Sequence, residues 1–181
     1  WFAKEVGLSV DQDLIYESPF KDLPEPFDIA DSHGIQKFDI AELHDHRLSK
    51  YLSVSKPDMI LVAGFPKLIP EQIYQKAKLG AFNFHPSLLP NYKGGTPNRW
   101  VVRDSAPETG ITAHRLTDEF DAGEIVLNTK ILVEKNDSWG DVETKVLEKL
   151  PAFTFDFLET CANGSPIASP QPQSLMRLLP S

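Results

Sequence analysis

The sequence predicts an α/β fold built on a mostly parallel central sheet, and three observations predict it. Short apolar runs bounded by glycine or proline alternate with stretches whose apolar residues recur at helical spacing. One of these runs, Asp58 to Ala63, is entered through Lys56-Pro57 and left through Gly64, which fits a fully buried parallel strand. The chain has 181 residues and 41% hydrophobic composition, enough for one domain with a sizeable core.

Taken in order, residues 1 to 27 read mostly as surface loop, because Pro19, Pro24 and Pro26 punctuate a polar stretch, with Leu14 to Tyr16 as a possible short strand. Asp28 to Gly34 reads as a short helix ending at glycine, and Ile35 to Phe38 as a short strand. Ile40, Leu43, Leu48, Tyr51 and Leu52 give an amphipathic helix up to Val54. After the Asp58–Ala63 strand, Pro70 starts a helix carrying Ile73, Tyr74 and Ala77 and stopping at Gly80. Ala81 to His85 is the next strand, ended by Pro86. A turn-rich loop from Pro86 to Pro97 leads to a short helix over Asn98 to Arg103. Gly110 to His114 is a strand, and Ile125–Leu127 with Ile131–Val133 form a further extended segment. Trp139 to Leu150 places Val142, Val146, Leu147 and Leu150 on one face of a helix. Pro151 lacks an amide donor and is expected to kink or restart that helix, with Phe153, Phe157 and Leu158 continuing its apolar face. The expected organisation is one catalytic domain over 1–164 and a serine- and proline-rich tail over 165–181.

Composition excludes several classes. No apolar run approaches bilayer length, and no charged start precedes an apolar stretch and a cleavage site, so the expectation is a cytoplasmic protein without a membrane partner. A single cysteine, Cys161, forms no internal disulfide and suggests no metal cluster. The net charge of -8 counts against a polynucleotide as main partner, since the cluster of Lys93, Arg99 and Arg103 is diluted by Asp104 and Glu108.

Chemistry concentrates in three places. Asn83 and His85 alternate along a strand, so they share a face at its C-terminal end, the edge where open α/β sheets bind ligands. The segment Pro86-Ser87-Leu88-Leu89-Pro90-Asn91-Tyr92-Lys93-Gly94-Gly95-Thr96-Pro97 combines two exposed leucines, three prolines and a double glycine, a composition that fixes a path while letting backbone amides approach a ligand. Asp121 precedes Ala122-Gly123 between two strands, so a tight turn projects its carboxylate. Each taken alone has a structural explanation: a buried polar pair, a surface loop, a turn-capping aspartate.

Together they resemble the formyltransferase family that uses 10-formyltetrahydrofolate. The stretch Asn83 to Gly94 is similar to its strand-and-loop signature, and Glu108 to His114 with Phe120-Asp121-Ala122-Gly123 to its second, at the right distance downstream. The resemblance runs from about Phe27 to Phe157. It implies a Rossmann-like three-layer fold and a reaction in which a primary amine attacks a formyl carbon. It also implies Asn83, His85 and Asp121 as the catalytic trio. Asn83 would donate to the formyl oxygen, where losing one such donor costs about 3 kcal/mol of barrier. His85 would stabilise that oxygen as a cation or take a proton from the amine, and Asp121 would orient His85 or relay a proton. His114 is expected to be structural. The folate would lie against Ala63, Gly64 and Phe65, with Leu88 and Phe120 as further contacts.

The family's opening strand and glycine turn are not found in residues 1–27, so that strand is either missing from the sequence or diverged; the start at Trp1 favours the first. Acidity and an end soon after the last helix argue against tRNA as acceptor. Pro97-Asn98-Arg99-Trp100 resembles the amino-sugar enzymes, which points to a small-molecule amine such as that of a nucleotide-linked sugar. A methionyl-tRNA formyltransferase-like enzyme, a formyltetrahydrofolate deformylase and a non-catalytic folate-binding protein are the alternatives. Oligomeric state is not legible.

Overall fold

A computed structural model describes residues 26–38, 43, 46–162 and 164–172. The chain divides into two compact units, residues 1–37 and 38–181. The possible strand at Leu14–Tyr16 lies outside the described residues. In the first unit, helix α1 (Pro26–Ser32) closes at Gly34, whose φ of 63° is the left-handed conformation that glycine adopts freely. Residues 35–37, and Phe38 beyond them, form no strand, contrary to expectation, and Ile35 is 58% exposed. Ile35 and Phe38 are three residues apart, so a strand would turn them to opposite faces, and no strand pairing is formed there among the described residues.

In the second unit, α2 (His46–Ser55) carries no buried residue, and its Tyr51 ring packs on Phe38 with centroids 5.2 Å apart. The residues expected to begin that helix, from Ile40, fall largely outside the described set, although Leu43 is buried. Then come β1 (Met59–Ala63), α3 (Glu71–Tyr74), β2 (Gly80–His85), α4 (Pro97–Arg103), β3 (Glu108–Arg115), β4 (Ile125–Leu132) and α5 (Trp139–Cys161). Helix α3 is a single turn that ends before Ala77, because Lys78 and Leu79 donate their amides back to Pro57 and Asp58 to start β2.

The sheet order is β1-β2-β3-β4. β1 pairs with β2 in parallel, while β2–β3 and β3–β4 are antiparallel. The α/β class stands, but the described sheet is mixed. The turn over residues 116–124 joins β3 to β4 as a hairpin, which can only pair antiparallel, and apolar patterning carries no sign of strand direction. β1 is also not fully buried: it stands at the edge of the described sheet, with Leu61 42% exposed.

Strand alternation splits the sheet into two chemical faces. Phe82, Phe84, Ile111 and Ala113 face one way and join Val146, Phe153, Phe157 and Cys161 of α5 in the core. The Phe157 ring meets Phe82 and Phe84 edge-on, each at 5.1 Å. Asn83 and His85 pair in register with His114 and Thr112, so these four share the opposite face. Helix α5 starts at a capping box in which Ser138 and Asp141 satisfy each other's amides, an arrangement that contributes about 1 kcal/mol. It runs through Pro151 without ending. The amide lost there frees the Leu147 carbonyl on the exposed side of the helix, where water can serve it. A proline in a helix costs about 3 kcal/mol, while burying Phe153 and Phe157 returns about 1.5–3 kcal/mol each. Beyond α5 the chain folds back: Ser169 and Ile125 exchange both backbone hydrogen bonds at 2.8 Å. Among the described residues no helix is long and apolar enough to cross a membrane.

Candidate active site

The C-terminal end of β2 delivers Asn83 and His85 to the face opposite the core, and the β3–β4 turn delivers Asp121 to the same place. Asp121 adopts a left-handed φ of 51°, a conformation that costs about 1 kcal/mol or more and persists only when its surroundings hold it. Gly123 makes the turn possible, since a Cβ there would sit 1.8 Å from the Arg115 carbonyl oxygen.

Four groups converge on the Asp121 carboxylate, which is 8% exposed. Asn83 Nδ2 donates to Oδ1 at 3.2 Å, and the Gly94 amide donates to Oδ2 at 2.8 Å. His114 Nε2 lies 3.3 Å from Oδ1, and His85 Nδ1 lies 3.4 Å from Oδ2. Burial pushes the carboxyl upward, but the His114 hydrogen bond, the pull of the His85 ring in its charged form and the Gly94 amide together hold it below the ordinary aspartate value.

The two rings are fixed by their far nitrogens. His85 Nε2 donates to the Tyr92 carbonyl at 2.7 Å, and His114 Nδ1 donates to the Arg115 carbonyl at 2.9 Å. A carbonyl only accepts, so each of those nitrogens carries hydrogen and each ring presents its other nitrogen to Asp121. Burial drives the His85 imidazole below the ordinary histidine value, outweighing the pull of Asp121 and of the Tyr92 carbonyl. The neutral ring therefore offers a bare Nδ1 beside the carboxylate. Asn83 Nδ2 also stands 3.2 Å from His114 Nε2.

The long loop is built into this arrangement. Thr112 Oγ1 donates to the Ser87 carbonyl at 2.6 Å and accepts from the Leu89 amide at 3.1 Å, pinning the loop across β3. Leu89 is buried and Leu88 half-buried against Gly110, so the two leucines expected to be exposed instead anchor the loop. The Gly94 amide, expected to approach a ligand, is spent on Asp121.

Of the residues expected to meet folate, Ala63, Gly64 and Phe65 lie at the C-terminal end of β1, beside the end of β2 that carries His85. Ala63 and Gly64 are exposed, and open space surrounds Gly64. Phe120 is 39% exposed, next to Asp121. Tyr74 Oη donates to Asp118 Oδ1 at 3.0 Å, tying the helix after the Gly64 loop to the Asp121 turn. Leu88 does not join this group; it lines a separate opening of about 270 Å³ with Asn91, Tyr92 and Thr109. Two contributors had no distinctive sequence signal, the carbonyls of Tyr92 and Arg115. A third, His114, expected to be structural, shares its face with Thr112 through strand alternation, the one signal that could have pointed to it.

The sequence pattern of the family described as "Formyl transferase" matches residues 19–155. The methionyl-tRNA formyltransferase of Thermotoga maritima is 29% identical over 137 residues, covering 76% of this chain and 44% of that protein. That of Lactiplantibacillus plantarum is 30% identical over 154 residues, covering 85% and 49%. The chain thus spans about half the length of the curated relatives it matches. Among solved structures, the formyltransferase PseJ of Anoxybacillus kamchatkensis, in complex with UDP-4,6-dideoxy-4-formamido-L-AltNAc and tetrahydrofolate, superposes with a TM-score of 0.61 at 23% identity, covering 83% of this chain and 79% of that one.

Proposed function

The chain belongs to the formyl transferase family, and on that premise we propose that it moves a formyl group from 10-formyltetrahydrofolate to a primary amine of a small molecule such as a nucleotide-linked amino sugar. The observation that carries the reading is the convergence of Asn83 and His85 on the buried Asp121 carboxylate at the ligand edge of the sheet.

The residues fit such a donor. Exposed backbone at Ala63 and Gly64 and an exposed Phe120 ring beside the carboxylate suit a flat group rich in donors and acceptors. When bound, it supplies an activated formyl carbon. His85, kept neutral by burial, would take at Nδ1 the proton that the attacking amine loses, Asp121 Oδ2 would hold the resulting cation, and that proton would return to the donor nitrogen as its bond to the formyl carbon breaks. Asn83 donates to the formyl oxygen with the amide hydrogen that the Asp121 carboxylate does not take.

A small-molecule acceptor is supported by the net charge of -8 and by the sugar nucleotide with which PseJ was solved. The methionyl-tRNA formyltransferases among the relatives support a second reading, with an aminoacyl-tRNA as acceptor.

The test is absorbance-monitored conversion of 10-formyltetrahydrofolate to tetrahydrofolate, with amino-sugar nucleotides, methionyl-tRNA or no amine, in wild type and His85→Ala. Turnover that depends on the sugar amine and is lost in the variant supports the proposal. Turnover only with methionyl-tRNA selects the second reading, and amine-independent formate release would show a hydrolase instead.

A further inference from the structure

The segment after α5 lies outside the family's matched residues, yet it reaches the active-site turn. Ser165 Oγ donates to the Leu79 carbonyl at 3.0 Å, and Arg115 Nη2 donates to Ser165 Oγ and to the Pro166 carbonyl at 2.9 and 3.0 Å. The Ser169–Ile125 backbone pair then extends the β4 edge. This path carries Gln171 to the turn, where its Nε2 donates to two backbone carbonyls, that of Asp121 at 2.8 Å and that of Gly123 at 2.7 Å.

Both hydrogens of one carboxamide are thereby spent on the carbonyls of the two residues on either side of Ala122. Asp121 is held there in the left-handed region, a conformation that needs outside support. Its carboxylate must meet Asn83, Gly94, His85 and His114 at once, so a small rotation of the turn would break several contacts together. Gln171 also buries its own Oε1 with no hydrogen-bond partner among the described residues. A buried, unsatisfied acceptor costs about 1–3 kcal/mol, so the two donated bonds offset a standing cost.

We propose that Gln171 is a positioning residue for formyl transfer: it touches no substrate and acts through Asp121, locking the turn that aims the carboxylate at His85. The assignment rests on the function proposed above. If Gln171 only fastened the C-terminal segment, its loss would lower stability without changing what Asp121 does to the ring.

The experiment compares the full chain with Gln171→Met, which keeps the shape and loses both donors, and Gln171→Asn, which keeps the amide one methylene short. Ser165→Ala serves as a control that loosens the same segment away from the turn. Two readouts are taken: kcat and KM for 10-formyltetrahydrofolate, and the His85 imidazole titration by NMR, which needs no turnover. His85 is faced by Asp121, His114, Lys93 and the Tyr92 carbonyl, and only the Asp121 contribution changes in these variants. The expected result for Gln171→Met is a kcat about 10- to 100-fold lower, the range that a misplacement of about 1 Å produces, with KM within about threefold. The His85 midpoint moves down, because the carboxylate that raises it has turned away. Gln171→Asn moves both readouts the same way by less, and Ser165→Ala moves neither. An unmoved His85 titration in folded Gln171→Met, or in Gln171→Asn should the first not fold, overturns the proposal, as does an unchanged kcat in an active protein. If wild type shows no turnover but the titration moves, the positioning stands and the formyl-transfer reading fails.

Discussion

Replacing Asp121 with asparagine tests the centre of the site, because the change removes one acceptor and adds two hydrogens where Asn83 and the Gly94 amide both donate. The carboxylate takes hydrogen bonds from Asn83 Nδ2 on Oδ1 and from the Gly94 amide on Oδ2. With its oxygen toward Asn83, the new amide would turn its NH2 against the Gly94 N–H. With its oxygen toward Gly94, it would turn that NH2 against the NH2 of Asn83. Either way one buried donor loses its acceptor, which costs about 1–3 kcal/mol. At about 2–4 °C per kcal/mol for a chain of this size, the unfolding midpoint should drop by about 2–12 °C. Turnover should fall much further, by about 10²- to 10⁴-fold, since the group that holds a protonated His85 is gone. Thermal unfolding at pH 7.5 and formyl-donor turnover measure the two effects separately. A variant that melts within a degree of wild type refutes the convergence, and one that melts lower but keeps its turnover refutes the catalytic role.

Phe157→Ala should destabilise by about 3–5 kcal/mol in denaturant unfolding, because the ring is fully buried and packs on two others; a loss below about 1 kcal/mol would contradict that core. Gly123→Ala should cost at least about 3 kcal/mol in the same assay and abolish turnover, since its Cβ would collide with the Arg115 backbone rather than with a movable side chain. Stability should also depend on pH in one direction. His85 and Asp121 both have folded values below their unfolded ones, so the unfolded chain binds protons first as pH falls. The contribution of His85 is complete above about pH 6.5 and is lost as pH falls through its lower folded value; Asp121 follows below about pH 4. The unfolding midpoint should fall from pH 7.5 to 5.5, less steeply in His85→Gln, and an equal slope in the two proteins would mean that His85 is not buried as a neutral ring.

The site was more legible than the sheet around it. Asn83 and His85 share a face because strand geometry alternates, and that follows from their spacing alone. Asp121 before Ala-Gly announces a turn, although only the fold says that the turn points at His85. His114 looked structural because a lone histidine on a strand gives no hint of its partners; the register that sets it opposite Asn83 is a tertiary fact. Strand direction was not legible for the same reason, nor was the absence of a strand at 35–38, where pairing with a neighbouring strand would have been needed. Pro151 does not end the helix: its local cost is real, and burial of Phe153 and Phe157 further along offsets it. Gln171 carried no signal at all, because a glutamine that serves backbone carbonyls is indistinguishable in sequence from one on a surface.

The pinning of the His85 imidazole by a carbonyl has a consequence for proton traffic. With the Tyr92 carbonyl holding Nε2, His85 keeps one nitrogen, Nδ1, for an incoming proton, and that nitrogen borders Asp121 Oδ2. A proton arriving there meets a carboxylate already in place, so the ring can take it up and give it back without turning.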